Sequence, residues 1–169
     1  MIFDIITYKE GENMSEVKQK LIAKNSKASF NYFLSDFLEC GIELKGTEIK
    51  ALRVHGASLS DSYVLFKNGE AFIINMNIAP YDKGNIFNHD PLRTRRLLIH
   101  KHEIIKLAQK VKEKSFTVVP TRIYLVNGKA KVEIALGKGK KNYDKREVEK
   151  EKDDKRAMEK ARKSASYED

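Results

Sequence analysis

Two Asn-Gly dipeptides, each between β-rich runs, constrain the fold of this chain more than any other feature of its sequence. Asn68-Gly69 divides DSYVLFKNGEAFIINMNI, and Asn127-Gly128 divides TRIYLVNGKAKVEIAL. Both central residues of a type I′ turn need positive φ, which Asn and Gly tolerate, so each run is predicted to form a two-stranded hairpin. The sequence therefore predicts an antiparallel β protein.

Three further segments predict the rest of the body. ASFNYFLSDFLECG has apolar residues at helical spacing from Phe30 to Leu38, and RTRRLLIHKHEIIKLAQKVKEK has a second stripe from Ile104 to Val111, so each predicts a helix. IELKGTEIKALR alternates as a strand whose phase changes at Gly46, which predicts a β-bulge of the kind found at the corners of small barrels. We expect five to six antiparallel strands with two packed helices.

The charge balance favours a polyanionic partner. The 169 residues include 33 Lys+Arg against 24 Asp+Glu, giving a formal net charge of +9 and a pI near 9.5. Such an excess is typical of nucleic-acid-binding proteins, and an acidic membrane surface is the second option. The single cysteine, Cys40, excludes an internal disulfide framework and indicates a reduced, cytoplasmic protein. No apolar run approaches the about 20 residues of a membrane span.

The two ends of the chain differ from the body. Residues 1–13 precede a second methionine and are expected to be an N-terminal extension without function, while residues 14–137 form the binding domain with two or three helices. Residues 138–169 hold 12 Lys+Arg and 9 Asp+Glu with few large apolar side chains, so this basic tail is expected to be disordered alone. Favourable i, i+4 pairs such as Glu151 and Lys155 leave two readings open, a solvated tail or a helix that forms on a partner.

Enzyme signatures are nearly absent. GKGKK follows a strand but lacks the spacing of a phosphate-binding loop. His100 and His102 lie beside Glu103, but the two imidazoles would fall on different faces of a helix start, and no third ligand is near in sequence. We therefore predict a protein that is not an enzyme and holds no metal and no cofactor.

The candidates for phosphate contact are cations near the ends of predicted elements. They either bind nucleic acid together or individually solubilise the surface. Small curved antiparallel barrels commonly bind oligonucleotides, so a generic single-stranded nucleic-acid-binding protein is one candidate function. The cations of the body are Lys24, Lys27, Arg53, Arg93, Arg95, Arg96, Arg122, Lys129 and Lys131.

From about residue 20 to residue 156 the sequence closely resembles the small protein B (SmpB, SsrA-binding protein) family. The stretches that carry the resemblance, in order, are IAKNSKASFNYF, ECGIELKGTEIKALR, LSDSYV, GEAFIINMNIAPY, RTRRLLIHKHEI, VEIALGKGKK and YDKRE. The resemblance implies a mainly β fold, a small antiparallel barrel of oligonucleotide-binding type with flanking helices, and a tail that is unstructured in the free protein. It also implies a bacterial, RNA-binding adaptor of trans-translation, the rescue of stalled ribosomes.

Such an adaptor binds the tRNA-like domain of transfer-messenger RNA (tmRNA, or SsrA RNA) and supports its alanylation and delivery. The implied partners are tmRNA, the decoding region of the small ribosomal subunit, and alanyl-tRNA synthetase and elongation factor Tu through the RNA. No membrane is implied, and the free protein is expected to be a monomer.

The family pattern also selects residues. The predicted tmRNA-binding set combines matched positions with neighbouring cations, and a carboxylate such as Glu39 must accept from a base edge or a 2′-hydroxyl, or orient a cation, because it repels phosphate. This set is Lys24, Asn25, Lys27, Tyr32, Glu39, Arg53, Arg95, Leu98, His100, Lys131 and Lys138. The residues that match the ribosome-engaging tail motif are Lys140, Lys141, Tyr143, Asp144, Lys145 and Arg146.

Overall fold

The computed structural model describes residues 19–84, 86 and 88–165, and the predicted extension at residues 1–13 lies outside them. The described part contains seven strands and four helices. The strands are β1 (Gln19–Lys24), β2 (Tyr32–Ile42), β3 (Tyr63–Lys67), β4 (Glu70–Ile74), β5 (Arg95–Leu98), β6 (Thr117–Val126) and β7 (Lys129–Gly139). The helices are α1 (Ser26–Asn31), α2 (Gly46–His55), α3 (Lys101–Lys114) and α4 (Asn142–Ala165).

All strand pairs are antiparallel, which confirms the mainly β prediction. The sheet order is β1-β6-β3-β4-β5-β2-β7, and β6 also pairs with β7. Strand β6 thus has three neighbours, because β3 pairs with it at Val118 and β1 pairs with it from Arg122 to Val126. The buried core lies beneath this sheet and includes Leu52, Ile73 and Ile123, each 0% exposed.

Both predicted hairpins are confirmed. Strands β3 and β4 are joined through Asn68 and Gly69, whose φ angles are 52° and 73°. Strands β6 and β7 are joined through Asn127 and Gly128, with φ angles of 49° and 79°. Positive φ at both central residues is the property that makes Asn-Gly a hairpin signal.

The helix predicted from Phe30 to Leu38 is wrong. The helix α1 ends at Asn31, and the chain continues as β2. The register of β2 against β7 shifts between Ser35 and Leu38, and Asp36 has a φ of 49°. An extra residue in a strand exchanges its two faces, so apolar residues on either side of the bulge fall three and four apart and imitate the spacing of a helix.

The bulged strand predicted around Gly46 is also wrong, because this segment is the helix α2. Ala51 and Leu52 on its inner side are both 0% exposed. At the start of the helix the carboxylate of Glu48 accepts from the backbone N–H of Lys45 at 2.6 Å, which satisfies a donor that has no partner within the helix. The predicted stripe of α3 is confirmed, with Ile104 and Leu107 buried.

The tail differs from the prediction of disorder, since residues 142–165 form the helix α4. The backbone N–H of Lys141 donates to Asp144 Oδ2 at 2.9 Å and so caps the start of the helix. At the base of the tail the ammonium of Lys140 donates to Ser29 O at 2.9 Å and lies 5.0 Å from the ring centroid of Phe33. None of the four helices described has the length and apolar content that a membrane span needs.

Candidate nucleic-acid interface

Two adjacent rows of residues cross the outer face of β5, β2, β7, β6 and β1, and we call them the two-row face. The first row pairs Leu98 with Gly41, Gly41 with Lys131, and Lys131 with Tyr124. The second row pairs Glu39 with Glu133, Glu133 with Arg122, and Arg122 with Lys24. Because residues two apart on a strand share a face, the two rows lie side by side. The structure thereby brings together four predicted residues from four strands, namely Lys24, Glu39, Leu98 and Lys131.

The carboxylate of Glu39 is held at both oxygens. The hydroxyl of Tyr124 donates to Oε2, and Lys131 Nζ lies 3.2 Å from Oε1. The hydrogen bond from Tyr124, more than the charge of Lys131, holds the pKa of Glu39 below its ordinary value. Burial, together with this bond, raises the pKa of Tyr124. The carboxylate is thus charged and oriented while its side chain remains half exposed, at 51%.

The neighbouring Glu133 has partners of its own. It accepts from Thr121 Oγ1 at 2.6 Å and from Arg122 NH2 at 2.7 Å. Two carboxylates directly opposite each other on paired strands repel, so Glu39 and Glu133 can coexist because each is neutralised from a different side. The guanidinium of Arg122 also lies 5.5 Å from the ring centroid of Tyr124.

An apolar groove of about 520 Å³ borders the first row. Leu98 is 54% exposed at its edge, and a Cβ on Gly41 would lie 3.2 Å from Leu98 Cβ, so this crossing leaves little room for a side chain on β2. Arg53 NH2 donates to Gly128 O at 3.1 Å at the hairpin turn beside the groove. The lining is completed by Ile42, Leu44, Ile49, Lys129, Ala130 and Lys131.

A second, more polar cleft of about 350 Å³ lies beside α1 and is lined by three predicted residues, Asn25, Lys27 and Tyr32. Lys27 Nζ is 3.3 Å from Asp61 Oδ1, with both side chains more than half exposed. Tyr32 packs its ring on the backbone of Gly137, where an added Cβ would lie 3.0 Å from ring atoms. Lys27 and Tyr32 therefore lie outside the two-row face. They lie at the end of the sheet where Tyr32 pairs with Gly139 and the tail begins.

The predicted RNA contact of Arg95 is wrong. Its side chain is 0% exposed, and Nε lies 2.8 Å from Glu48 Oε1. Its remaining nitrogens donate to backbone carbonyls, with NH1 3.0 Å from Arg93 O and NH2 3.1 Å from Pro91 O. A guanidinium enclosed in this way stabilises the fold and has no access to phosphate.

Asn25 is likewise a structural residue and not a surface contact. It is 6% exposed, and its amide nitrogen donates to Leu59 O at 2.8 Å and to Pro120 O at 2.9 Å. Its side-chain oxygen accepts from the N–H of Ala28 at 3.1 Å and caps α1. Because both amide hydrogens and the carbonyl are used, the predicted direct contact with RNA is replaced by positioning of α1.

The remaining predicted residues lie at two places. His100 precedes α3, exposed, and its ring stacks on that of His102 with centroids 5.6 Å apart. In residues 19–84, 86 and 88–165, no three His, Cys, Asp or Glu side chains are grouped so that they could hold a metal ion. The others form the base of the tail, from the exposed end of β7 into the first turn of α4: Lys138, Lys140, Lys141, Tyr143, Asp144, Lys145 and Arg146.

Sequence reasoning missed part of the two-row face. Tyr124 and Glu133 were absent from the predicted set, and Arg122 was named only as one of nine cations. The signal was alternation, because Arg122 and Tyr124 are two apart on β6, as are Lys131 and Glu133 on β7. Glu133 follows Lys131 by two residues on β7, and Tyr124 is the partner of Lys131 across the Asn-Gly turn, so this period leads to both Tyr124 and Glu133.

The fold and this face define a small, basic, mainly antiparallel β protein that presents cations, carboxylates and an exposed leucine in register on one sheet surface and continues into a charged helix. A family model described as SmpB protein matches residues 22–164. The chain belongs to the SmpB family.

Similar proteins cover most of the chain. An SsrA-binding protein from Malacoplasma penetrans is 55% identical over 137 residues, which are 81% of this chain and 94% of the relative. An SsrA-binding protein from Bacillus subtilis is 52% identical over 142 residues, which are 84% of this chain and 91% of the relative. A chain of the solved structure described as "tmRNA-SmpB: a journey to the center of the bacterial ribosome" superposes with a TM-score of 0.60 at 44% identity, covering 71% of this chain and 85% of that one.

Proposed function

We propose that this chain is the RNA-binding adaptor of trans-translation and binds the tRNA-like domain of tmRNA through the two-row face. Its relatives are called SsrA-binding proteins, and its structural neighbour is described as tmRNA-SmpB at the ribosome. The observation that carries the proposal is the register that collects Lys24, Glu39, Leu98 and Lys131 from four strands. Folded RNA offers phosphates to the lysines, and base edges and 2′-hydroxyls to the carboxylate.

The architecture that goes with this function is a barrel of oligonucleotide-binding type. Pairing of β7 with both β2 and β6 supports closure, because the strand order then returns to β6. We assign residues 14–137 to this RNA-binding domain and residues 138–169 to the tail. Lys27 and Tyr32, which line the cleft beside α1, and Lys138 near the end of β7 continue the RNA surface toward the tail.

The tail has a separate role in this proposal. Lys140, Lys141, Tyr143, Lys145 and Arg146 engage the vacant decoding region and mRNA path of the small ribosomal subunit, where rRNA supplies phosphates and exposed bases. Tyr143 is 62% exposed and available for stacking. Alanyl-tRNA synthetase and elongation factor Tu act on the complex through tmRNA. The chain is then a cytoplasmic adaptor that performs no chemistry and requires no cofactor.

The test is a binding competition at near-physiological salt. The full chain and a version ending at Gly139 are each titrated with tmRNA, and ordinary tRNA and a single-stranded oligomer serve as competitors. We expect tight, tmRNA-selective binding by both versions, because recognition lies in the body. Equal binding to all three RNAs would leave only the generic single-stranded nucleic-acid-binding protein, and loss of selectivity with the tail would move recognition out of the two-row face.

A further inference from the structure

The hydroxyl of Tyr124, buried on the two-row face, donates to the carboxylate of Glu39 that we propose faces RNA. Tyr124 is only 2% exposed, whereas the side chain of Glu39, to which it donates, is 51% exposed. A buried tyrosine hydroxyl needs a partner, and here the partner is a charged group at the surface. The donor of this hydrogen bond, Tyr124, is therefore held by packing, and the acceptor, Glu39, is held at the solvent-exposed surface.

The charged side chains around the hydrogen bond from Tyr124 to Glu39 are directed to atoms other than Oε2 of Glu39, which accepts from Tyr124. On β7, Lys131 approaches the other oxygen of Glu39, while Glu133 is occupied by Thr121 and Arg122. On β6, Arg122 covers the ring of Tyr124 and directs its guanidinium to Glu133. Since a carboxylate has about four lone-pair sites, Glu39 keeps acceptor capacity on its exposed side after both contacts are made.

We propose that Tyr124 is a positioning residue for RNA recognition, which fixes Glu39 so that its carboxylate accepts a hydrogen bond from a base N–H or 2′-hydroxyl of an unpaired nucleotide while Lys131 holds the adjoining phosphate. The inference rests on the proposed function and adds a residue that does not itself reach the RNA. A carboxylate that is preorganised pays little ordering entropy on binding. A freely rotating carboxylate at the same place would mainly repel the phosphate backbone.

The experiment compares Tyr124→Phe, Glu39→Gln and the double variant in the full chain, with tmRNA as the probe. Tyr124→Phe keeps the ring beneath Arg122 and removes only the hydroxyl. We expect it to weaken tmRNA binding about tenfold, the upper end of the cost of immobilising one freed side chain on binding, with an unchanged salt slope because no phosphate contact is removed. Tyr81→Phe is the control, because Tyr81 lies under Lys50 beside α2 and not on the two-row face.

Two readouts separate positioning from a merely structural role. If Tyr124 acts through Glu39, adding Tyr124→Phe to Glu39→Gln costs far less than it does alone. In addition, loss of the hydroxyl raises the pKa of Glu39 toward its ordinary value, so the variant should lose tmRNA affinity at a higher pH than the wild type as the solution is acidified. The groups facing Glu39 in this titration are Tyr124, Arg122, Lys131 and Glu133.

The proposal is overturned if Tyr124→Phe binds tmRNA like the wild type, or if its effect adds fully to that of Glu39→Gln. Should Tyr124→Phe melt below the assay temperature, Glu39→Asp takes its place. The shorter side chain moves the carboxylate away from the hydroxyl of Tyr124, and the substitution is made at a half-exposed residue. Retained affinity of Glu39→Asp then overturns the proposal. A wild-type chain without preference for tmRNA over tRNA would instead reject the proposed function, so the two failures are distinguishable.

Discussion

At the residue scale, the body encloses two opposite charges, whose removal from water is costly unless they are paired. Glu48 and Arg95 are both 0% exposed and 2.8 Å apart, and Arg93 NH2 closes the other oxygen of Glu48 at 2.7 Å. Removing one member of such a group leaves an uncompensated charge in the interior. Arg95, one of two arginines predicted from the sequence to contact tmRNA, is therefore a residue on which the junction of α2 and β5 depends.

We predict that Arg95→Met lowers the free energy of unfolding by about 3–5 kcal/mol, because Glu48 would be left with only Arg93 to balance it. Denaturant unfolding followed by circular dichroism measures the change. Arg96→Met is the matched control: this residue is next in the chain and points outward, half exposed, to Glu43 and Glu70. A much smaller change is expected there, and equal losses for the two variants would contradict the assignment.

Cys40 provides a second residue-scale prediction. Burial, and then the neighbouring charge of Glu39, raises the pKa of this thiol to about 12. At pH 8 only about one molecule in ten thousand then carries the reactive thiolate, and the side chain is 3% exposed. Iodoacetamide should label the native protein very slowly at pH 8 and should label it readily in denaturant, as mass spectrometry would detect. Rapid native labelling at pH 8 would show that the strand β2 opens at this position.

At the element scale, the two hairpin turns illustrate what local sequence determines. Gly69 has a φ of 73°, and a Cβ there would meet nothing within 4 Å, so Gly69→Ala introduces backbone strain without a clash. We predict a loss of about 1 kcal/mol in the free energy of unfolding. Gly139→Ala is the control, because that position is equally open and does not have positive φ. A loss at Gly139 as large as that at Gly69 would exclude turn strain as the cause.

The hairpins and α3 were predictable because their signals are local: a turn dipeptide that tolerates positive φ, and a stripe that no bulge interrupts. Strand β2 and helix α2 were not, because tertiary pairing decides both. The bulge near Asp36 gives β2 a helix-like apolar spacing, and only its pairing with β7 determines that it is a strand. Helix α2 depends on Glu48, which two arginines from a distant segment enclose, and nothing in the local sequence indicates that contact.

The same limit applies to the interface. The residues Glu39, Leu98 and Lys131 were placed by family pattern, and the register shows why they belong together. Tyr124 lies in none of the stretches that carry the family resemblance, and Glu133 lies in VEIALGKGKK without a role that the motif reveals, because the role of both residues exists only when β2, β6 and β7 lie side by side. Arg95 was misassigned for the opposite reason: a cation in the dense cluster RTRR gives no sign in the sequence that it faces inward.

At the scale of the whole molecule, the formal net charge of +9 should govern RNA affinity through counterion release. If the body neutralises about 6 phosphates, the logarithm of the association constant falls with the logarithm of salt concentration at a slope of roughly −4 to −5. Fluorescence titrations of tmRNA with the full chain at several potassium chloride concentrations measure the slope. Lys131→Gln should reduce its magnitude by about 1, and a flat response would contradict phosphate contact as the source of affinity.

Strand β7 has a mechanical consequence. It carries Lys131 and Glu133 of the two-row face, is hydrogen-bonded to β2 on one side and β6 on the other, and leads into α4 within three residues. A force that pulls the tail along the strand direction loads both ladders in shear, so many hydrogen bonds share the tension at once instead of opening one after another. The tail is thus tethered to a strand that two ladders hold against being drawn out, and any tension on it passes directly beneath the surface that we propose holds the RNA.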